Sequence, residues 1–385
     1  MTEVFTLATY NIMAPVPVPV RFNGQMERMA RVAPALERYQ ASPGGVRLDA
    51  VVFQESIVAA QHAVLRKGMR EAGFEYETPP LLASVGDGQL ANGGVVVFSR
   101  HPITEHRVAP FAGCGCEGAD CLCAKGCVYA RINVLGRTYH VVSVHMQAWN
   151  TDEAFGIRVR QAEFAGKFID SIDAGEGEPL VFAGDLNVDL YTQRPHLRAL
   201  LDLIGVERLP LRRSASATFS SDPSTNALMG NDEGAAYASA EFPHGCHKEY
   251  LNSGRCLCCP RELLDHAGYV ATRGAQPDLR RSWSAVVPLK AEQPFMVHLT
   301  ASVRREIRDL SDHYPLVASY HYPRAAVRHS AEPVEAPEPV EGPPRSRAWV
   351  YWAMLAAVLL CGFMLLAAVA MRGRAAAPPP EAPPA

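Results

Sequence analysis

The chain has 385 residues, 48% of them hydrophobic and 20% charged, with a formal net charge of -3. That length and apolar content exclude a disordered chain and suffice for one large domain with appendages. Without a basic excess, a long polyanion held by phosphate contacts is not an expected partner.

The N-terminus, MTEVFTLATYN, has Glu3 where an export signal would carry positive charge, and no apolar stretch precedes the first strand-like run, so no cleavable signal is expected. Residues 5–10 read as a short strand ending at Asn11, and the Pro-rich 14–20 cannot be a helix interior. Over 25–40, Met26, Met29, Val32, Ala33 and Leu36 recur at helical spacing, with Arg28, Arg31 and Glu37 assigned to other faces. A second strand, 49–53, delivers Gln54, Glu55 and Ser56 at its end, and 57–72 reads as a helix stopped by Gly73. GGVVVFS at 93–99 is the continuous apolar run of a strand covered on both faces.

Residues 127–134 and 138–144 read as a hairpin whose second arm ends in His145, and 154–172 as a helix. In VFAGDLNVDL, 181–190, the strand end gives way at Gly184 to Asp185 and Asn187, two polar residues that point the same way if the chain stays extended. From 211 to 260 the pattern fails, as in a long surface excursion. Order returns at 262–272 and 286–289, and a last strand, 315–320, follows Ser311, Asp312 and His313. The alternation implies an α+β fold, a two-layered β-sandwich flanked by helices, over residues 1–322.

A Pro-, Glu- and Ala-rich linker follows at 323–347. Residues 348–371 carry no charge and enough apolar length to cross a bilayer, and 372–385 form a short polar tail. Arg345, Arg347, Arg372 and Arg374 bracket both ends, so charge does not orient the span. Without an export signal, the N-terminal domain is expected on the cytosolic side of a membrane to which the helix anchors it.

Cysteines cluster at Cys114, Cys116, Cys121, Cys123 and Cys127, then at Cys246, Cys256, Cys258 and Cys259, with Cys361 apart. In a chain without an export signal these suggest reduced thiols or a metal site rather than a disulfide framework. Neither cluster has two clean CxxC pairs, so free or redox-paired loop thiols are expected in place of zinc.

Five strand ends thus present polar residues: Asn11, Glu55, His145, Asp185 with Asn187, and Asp312 with His313. Adjacent strand ends of layered sheets converge on one rim. Glu55 and Asn11 are the anionic and neutral oxygens that suit Mg²⁺, and His313 is a candidate general base oriented by Asp185 or Asp312.

In this order NIMAP, FQES, FSRHPI, VSVHMQAW, AGDLNV and LSDHYPL resemble the motifs of the endonuclease/exonuclease/phosphatase superfamily across residues 6–320. Within it the chain looks most like the neutral sphingomyelinases of bacteria. His145 is followed by Met146, Gln147 and Ala148, and Asp120 lies five residues before the Lys125-Gly126 pair. LLDHAGYV at 263–270 departs from that family, with His266 where Tyr is usual. The resemblance implies Mg²⁺-dependent cleavage of sphingomyelin, a membrane lipid, to ceramide and phosphocholine. In the mechanism expected with it, Glu55, with help from Asn11, holds the metal, His313 activates water, and Asp185 and Asp312 orient the imidazole or the water. Asn187 and His145 would donate to developing charge, and Asp120 and Lys125 would belong to a loop that positions the site. A nuclease or inositol-phosphate phosphatase on the same scaffold is the first alternative, although no basic, aromatic-lined track for nucleic acid stands out. A catalytically inactive membrane-tethered binding protein is the second.

Overall fold

The computed structural model describes residues 2–14, 24–81, 91–175, 177–212, 217–222, 224–228, 261–298 and 304–323. The span expected at 348–371, nearly all of the linker, the tail and the second cysteine cluster with Cys361 lie outside them. No helix among the described residues is long and apolar enough to cross a membrane.

The apolar runs become strands and the amphipathic segments helices. In chain order they are β1 (Thr2–Ala14), α1 (Gln25–Ala41), β2 (Ala50–Ser56), α2 (Ala59–Glu71), β3 (Tyr76–Glu77), β4 (Ala91–Asn92), β5 (Val96–Ser99) and β6 (Ile103–Pro110). Then come β7 (Cys123–Ala124), β8 (Gly126–Val134), β9 (Arg137–His145), α3 (Asp152–Asp170), β10 (Leu180–Asp185), α4 (Arg194–Ile204) and β11 (Val206–Arg208). The series closes with β12 (Asp265–Val270), β13 (Trp283–Val286), β14 (Lys290–His298), β15 (Arg304–Asp309) and β16 (Leu316–Pro323).

Two six-stranded sheets result, ordered β13-β16-β1-β2-β5-β3 and β11-β12-β10-β9-β8-β6. Each holds one parallel pair at its centre, β1 with β2 and β9 with β10. Phe5, Leu7, Val52 and Val97 of the first sheet share a core with Val128, Val141 and Val181 of the second. On the outer faces, Tyr10, Val51 and Phe53 pack on Met29, Val32 and Leu65 of α1 and α2, while Val142 and Phe182 pack on Ala162, Ala165 and Leu200 of α3 and α4. Both faces of the inner strands are covered, which is why they read as unbroken apolar runs. Each large side chain so buried contributes roughly 1.5–3 kcal/mol.

Several expectations are corrected. Met26 is 44% exposed, whereas Arg28, assigned to another face, is fully buried. β1 continues past Asn11 to Ala14. Not anticipated from the sequence are β6, α4 and the β14–β15 hairpin. In the first cysteine cluster Cys116 and Cys121 form a disulfide while Cys114, Cys123 and Cys127 are free, so it combines one loop pair with free thiols, as in the expected free or redox-paired set.

Candidate active site

Strand register gathers the site. Asp185, the last residue of β10, lies directly opposite His145 of β9 and, on its other side, directly opposite Asp265 of β12. Residues so paired share a face of the sheet. In the other sheet Asn11 pairs with Gln54, which precedes Glu55. β16 runs antiparallel to β1 with Leu316 opposite Thr9, so Asp312 and His313 stand at the rim where β1 ends.

Hydrogen bonds then fix the side chains. Asn11 Nδ2 donates to Glu55 Oε1 at 2.8 Å and to Asp185 Oδ2 at 3.0 Å, while its Oδ1 accepts the Met13 backbone N–H at 3.0 Å. The amide nitrogen of Asn11 thus clamps two carboxylates, while its oxygen, the expected neutral ligand, accepts one backbone N–H. His313 Nδ1 lies 2.8 Å from Asp265 Oδ2. The partner of the imidazole is thus Asp265, not Asp185 or Asp312 as expected; Asp312 Oδ1 accepts from Ser311 Oγ at 3.1 Å. Asn187 does not continue the extended chain beside Asp185. With φ at 52° it turns back, its N–H donating to Asp185 Oδ1 at 2.8 Å and its Nδ2 to Met146 O at 2.9 Å.

Lys125 and Asp120 meet as an ion pair of 2.6 Å. Asp120 sits in a short 3-10 turn, Gly118–Leu122, beside the Cys116–Cys121 disulfide, and its Oδ2 also accepts the Ala148 N–H at 2.7 Å. Lys125 Nζ donates to Met146 O at 2.7 Å and stands 3.1 Å from His145 Nε2. Burial, then the charges of Lys125 and His313, hold His145 well below the ordinary imidazole range. It is therefore neutral, with Nε2 accepting from the ammonium and its proton on Nδ1, which has no hydrogen-bond partner among the described residues. Nε2 is also 4.0 Å from Glu55 Oε1 and 3.8 Å from Asp185 Oδ2.

Two residues beyond the sequence-derived set belong here. Asp265 lies in LLDHAGYV, where an acid inside an apolar strand was the available signal. Arg28 reaches from α1 to donate to Ile12 O at 2.9 Å, Met13 O at 2.6 Å and Leu310 O at 2.8 Å, tying the end of β1 to the segment before Asp312. Burial pulls its guanidinium down to about 10, against the charge of Asp312, so it stays protonated at neutral pH.

The carboxylates are under electrostatic load. Glu55 is pushed up to about 7, by burial first and then by Asp312, and the Asn11 amide, Lys125 and His313 do not offset this. Asp185 is raised by burial and by Asp265 opposite it. Burial alone would lower His313, but Asp265, followed by Asp312 and Asp185, raises it well above its usual range. Glu55 also sits at φ 61°, a left-handed conformation that costs about 1–3 kcal/mol in a non-glycine residue. Ligand atoms of Asp185, Asp265 and His313 lie within 4.8 Å of one another, a further group able to hold a metal ion. Buried carboxylate oxygens this short of compensating charge fit a hard divalent cation such as Mg²⁺.

A sequence profile of the Endonuclease/Exonuclease/phosphatase family matches residues 8–225. The chain is similar to a sphingomyelinase C of Leptospira interrogans, 32% identical over 197 residues, which are 47% of this chain and 34% of that protein. It therefore spans about a third of that relative's length. Among solved structures it resembles the sphingomyelinase C of Streptomyces griseocarneus, with a TM-score of 0.62 and 26% identity over 83% of this chain and all of that one. It also shares the fold of a Staphylococcus aureus beta toxin variant with bound magnesium ions, with a TM-score of 0.64 and 24% identity over 83% and 99% of the two chains.

Proposed function

Because this chain belongs to the endonuclease/exonuclease/phosphatase family and gathers buried carboxylates around a paired imidazole at its strand ends, we propose that it is a Mg²⁺-dependent phosphodiesterase that cleaves sphingomyelin to ceramide and phosphocholine. The Asp265–His313 pair beside Asp185 and Glu55 carries the phosphodiesterase reading. The likeness to sphingomyelinases C supports the choice of lipid.

In this reading the neutral form of His313, which a divalent cation bound beside these carboxylates would favour, is held at Nδ1 by Asp265 and takes a proton from water at Nε2 as the water oxygen attacks phosphorus; Asp265 stabilises the imidazolium that forms. Glu55 would hold Mg²⁺, which when bound supplies positive charge to the phosphoryl oxygens and the departing alkoxide. Asn11 keeps the Glu55 and Asp185 carboxylates in register. Lys125, aimed by Asp120 and Met146 O, brings a buried positive charge beside His145 and favours developing negative charge there. Asn187 braces Asp185 through its backbone N–H, and Asp312 adds negative charge near His313.

Residues 348–371 are taken as a membrane span that holds the domain at a lipid surface, where tethering raises effective concentration for a substrate in that bilayer. The Cys116–Cys121 disulfide favours an oxidising compartment over the cytosolic side expected from the N-terminus. The direct test is full-length enzyme assayed on sphingomyelin vesicles, phosphatidylcholine vesicles and plasmid DNA, with Mg²⁺ or with chelator. Phosphocholine release from sphingomyelin that chelator abolishes is the expected result. Nicked DNA with intact sphingomyelin would transfer the protein to the nucleases of its family.

A further inference from the structure

A second histidine constellation lies behind the site, on the residue that follows Glu55. Ser56 closes β2, and its Oγ is 2.8 Å from His62 Nδ1 in the first turn of α2; the two residues are 2% and 6% exposed. His62 Nε2 faces Glu77 Oε1 at 3.8 Å. Arg66, one turn further along α2, grips the same carboxylate, with Nε 2.8 Å from Oε2. With the Ser56 hydroxyl donating to Nδ1, the ring proton lies on Nε2, turned toward the Glu77 carboxylate without a hydrogen bond to it among the described residues. The chain of contacts thus runs from a partly exposed arginine on α2 inward to Ser56.

None of these groups touches the carboxylates of the site, yet they bear on the one residue there that is both strained and suited to the metal. Glu55 keeps φ at 61° only if its neighbours are held. On its N-terminal side, Gln54 is fully buried and donates to Thr9 Oγ1 at 3.0 Å. On its C-terminal side, the Ser56 N–H donates to Gly94 O at 3.0 Å. A Cβ on Gly94, which lies between β4 and β5, would stand 2.4 Å from Ser56 N and 2.7 Å from Glu55 Cα, so only glycine lets the chain approach there. The backbone of Ser56 is thereby pinned by Gly94 and its side chain by His62.

We infer that His62, acting through Ser56, is a positioning residue for Glu55: it fixes the left-handed turn of backbone that sets the direction of the carboxylate. This rests on the reading that Glu55 holds Mg²⁺. A polar partner supporting a metal ligand from behind is typically worth 10- to 100-fold in metal affinity, and the relay's effect belongs at the low end because it acts through backbone.

Mg²⁺ binding to the full-length protein, measured by titration calorimetry without substrate, separates this role from simple core packing. Ser56→Ala and His62→Leu should each weaken Mg²⁺ binding about tenfold. The double variant should be no weaker than either single one, since both cut the same link. His62→Asn, whose Oδ1 can stand near the place of Nδ1 and accept the same hydroxyl, should recover most of the loss. Parental Mg²⁺ affinity in Ser56→Ala and His62→Leu, whatever their melting temperatures, would overturn the inference, as would losses that add in the double variant. Glu55→Gln is the separate control. If it binds Mg²⁺ as well as the parent, the metal reading itself fails and the inference falls with it.

Discussion

Asp185 and Asp265 face each other directly across an antiparallel pair, where like charges ordinarily destabilise a sheet by a few tenths of a kcal/mol to about 1 kcal/mol. The His313 Nδ1–H, 2.8 Å from Asp265 Oδ2, offsets part of that repulsion, and this coupling makes Asp265 the most informative residue to change. Asp265→Asn should lower turnover by roughly 10²–10⁴, close to His313→Ala, because both remove the oriented imidazole as a base. Asp312→Asn should cost much less, since Asp312 accepts from Ser311 and not from the ring. Rates under saturating Mg²⁺ with sphingomyelin decide the order, and an Asp312→Asn loss as large as that of Asp265→Asn would contradict it. Asp120→Ala and Lys125→Ala should both depress turnover without unfolding the domain, because each removes one end of the 2.6 Å pair that aims the ammonium at Met146 O and His145. Circular dichroism beside the rate measurement separates those two outcomes.

At the scale of an element, α1 does more than cover the first sheet. Its Arg28 crosses to three backbone carbonyls, on Ile12, Met13 and Leu310, so one side chain ties β1 to the segment before Asp312. Arg28→Met should leave those acceptors buried and unpaired and cost on the order of 3 kcal/mol or more in urea unfolding. A variant as stable as the parent would show that the carbonyls find other partners. β9 carries a second buried imidazole at its far end: His140, with Tyr129 OH at 2.9 Å and Glu178 Oε2 at 2.7 Å. Burial holds His140 below its ordinary value even though Glu178 pulls it up. A depressed histidine contributes stability that is complete above the unfolded imidazole's pKa, about 6.5, and is lost as pH falls below that value, because the unfolded chain takes up the proton first. Burial raises Glu178, but His140, the Gly175 N–H and Thr138 together lower it overall, so its own contribution is lost at still lower pH. The melting temperature should therefore decline as pH drops below about 6.5, and His140→Gln should flatten the first part of that decline. Identical pH profiles for the two proteins would assign the decline elsewhere.

For the whole molecule the open questions are attachment and sidedness. A chain ending at Pro323 should be soluble and folded, because the following Pro-, Glu- and Ala-rich stretch has few large apolar residues to dock on it, whereas the full chain should sediment with membranes. Intact protein in a detergent-free supernatant would count against the anchor. The disulfide makes a separate demand, since such bonds persist where thiols are not kept reduced. Protease added to the outside of intact cells should then digest the catalytic domain, and complete protection would favour the cytosolic side.

The sequence by itself determined the scaffold and most of the site's membership. Unbroken apolar runs such as VVVF and VFAG are typical of strands covered on both faces, and a polar residue ending each of several such runs marks a common rim. Asn11, Glu55, His145, Asp185, Asn187, Asp312 and His313 were legible on that ground, and Asp120 with Lys125 by resemblance. The tertiary structure decided who pairs with whom. Asp265 follows Asp185 by 80 positions in the chain, and only the β10–β12 register places the two opposite each other and within reach of His313. Arg28 shares the α1 face with Met29, Val32 and Leu36, but an arginine on a buried stripe is intelligible only once the carbonyls it reaches are present. The turn of the Asn11 amide was likewise undecidable from sequence, because a donor and an acceptor on one side chain are told apart only by what surrounds them.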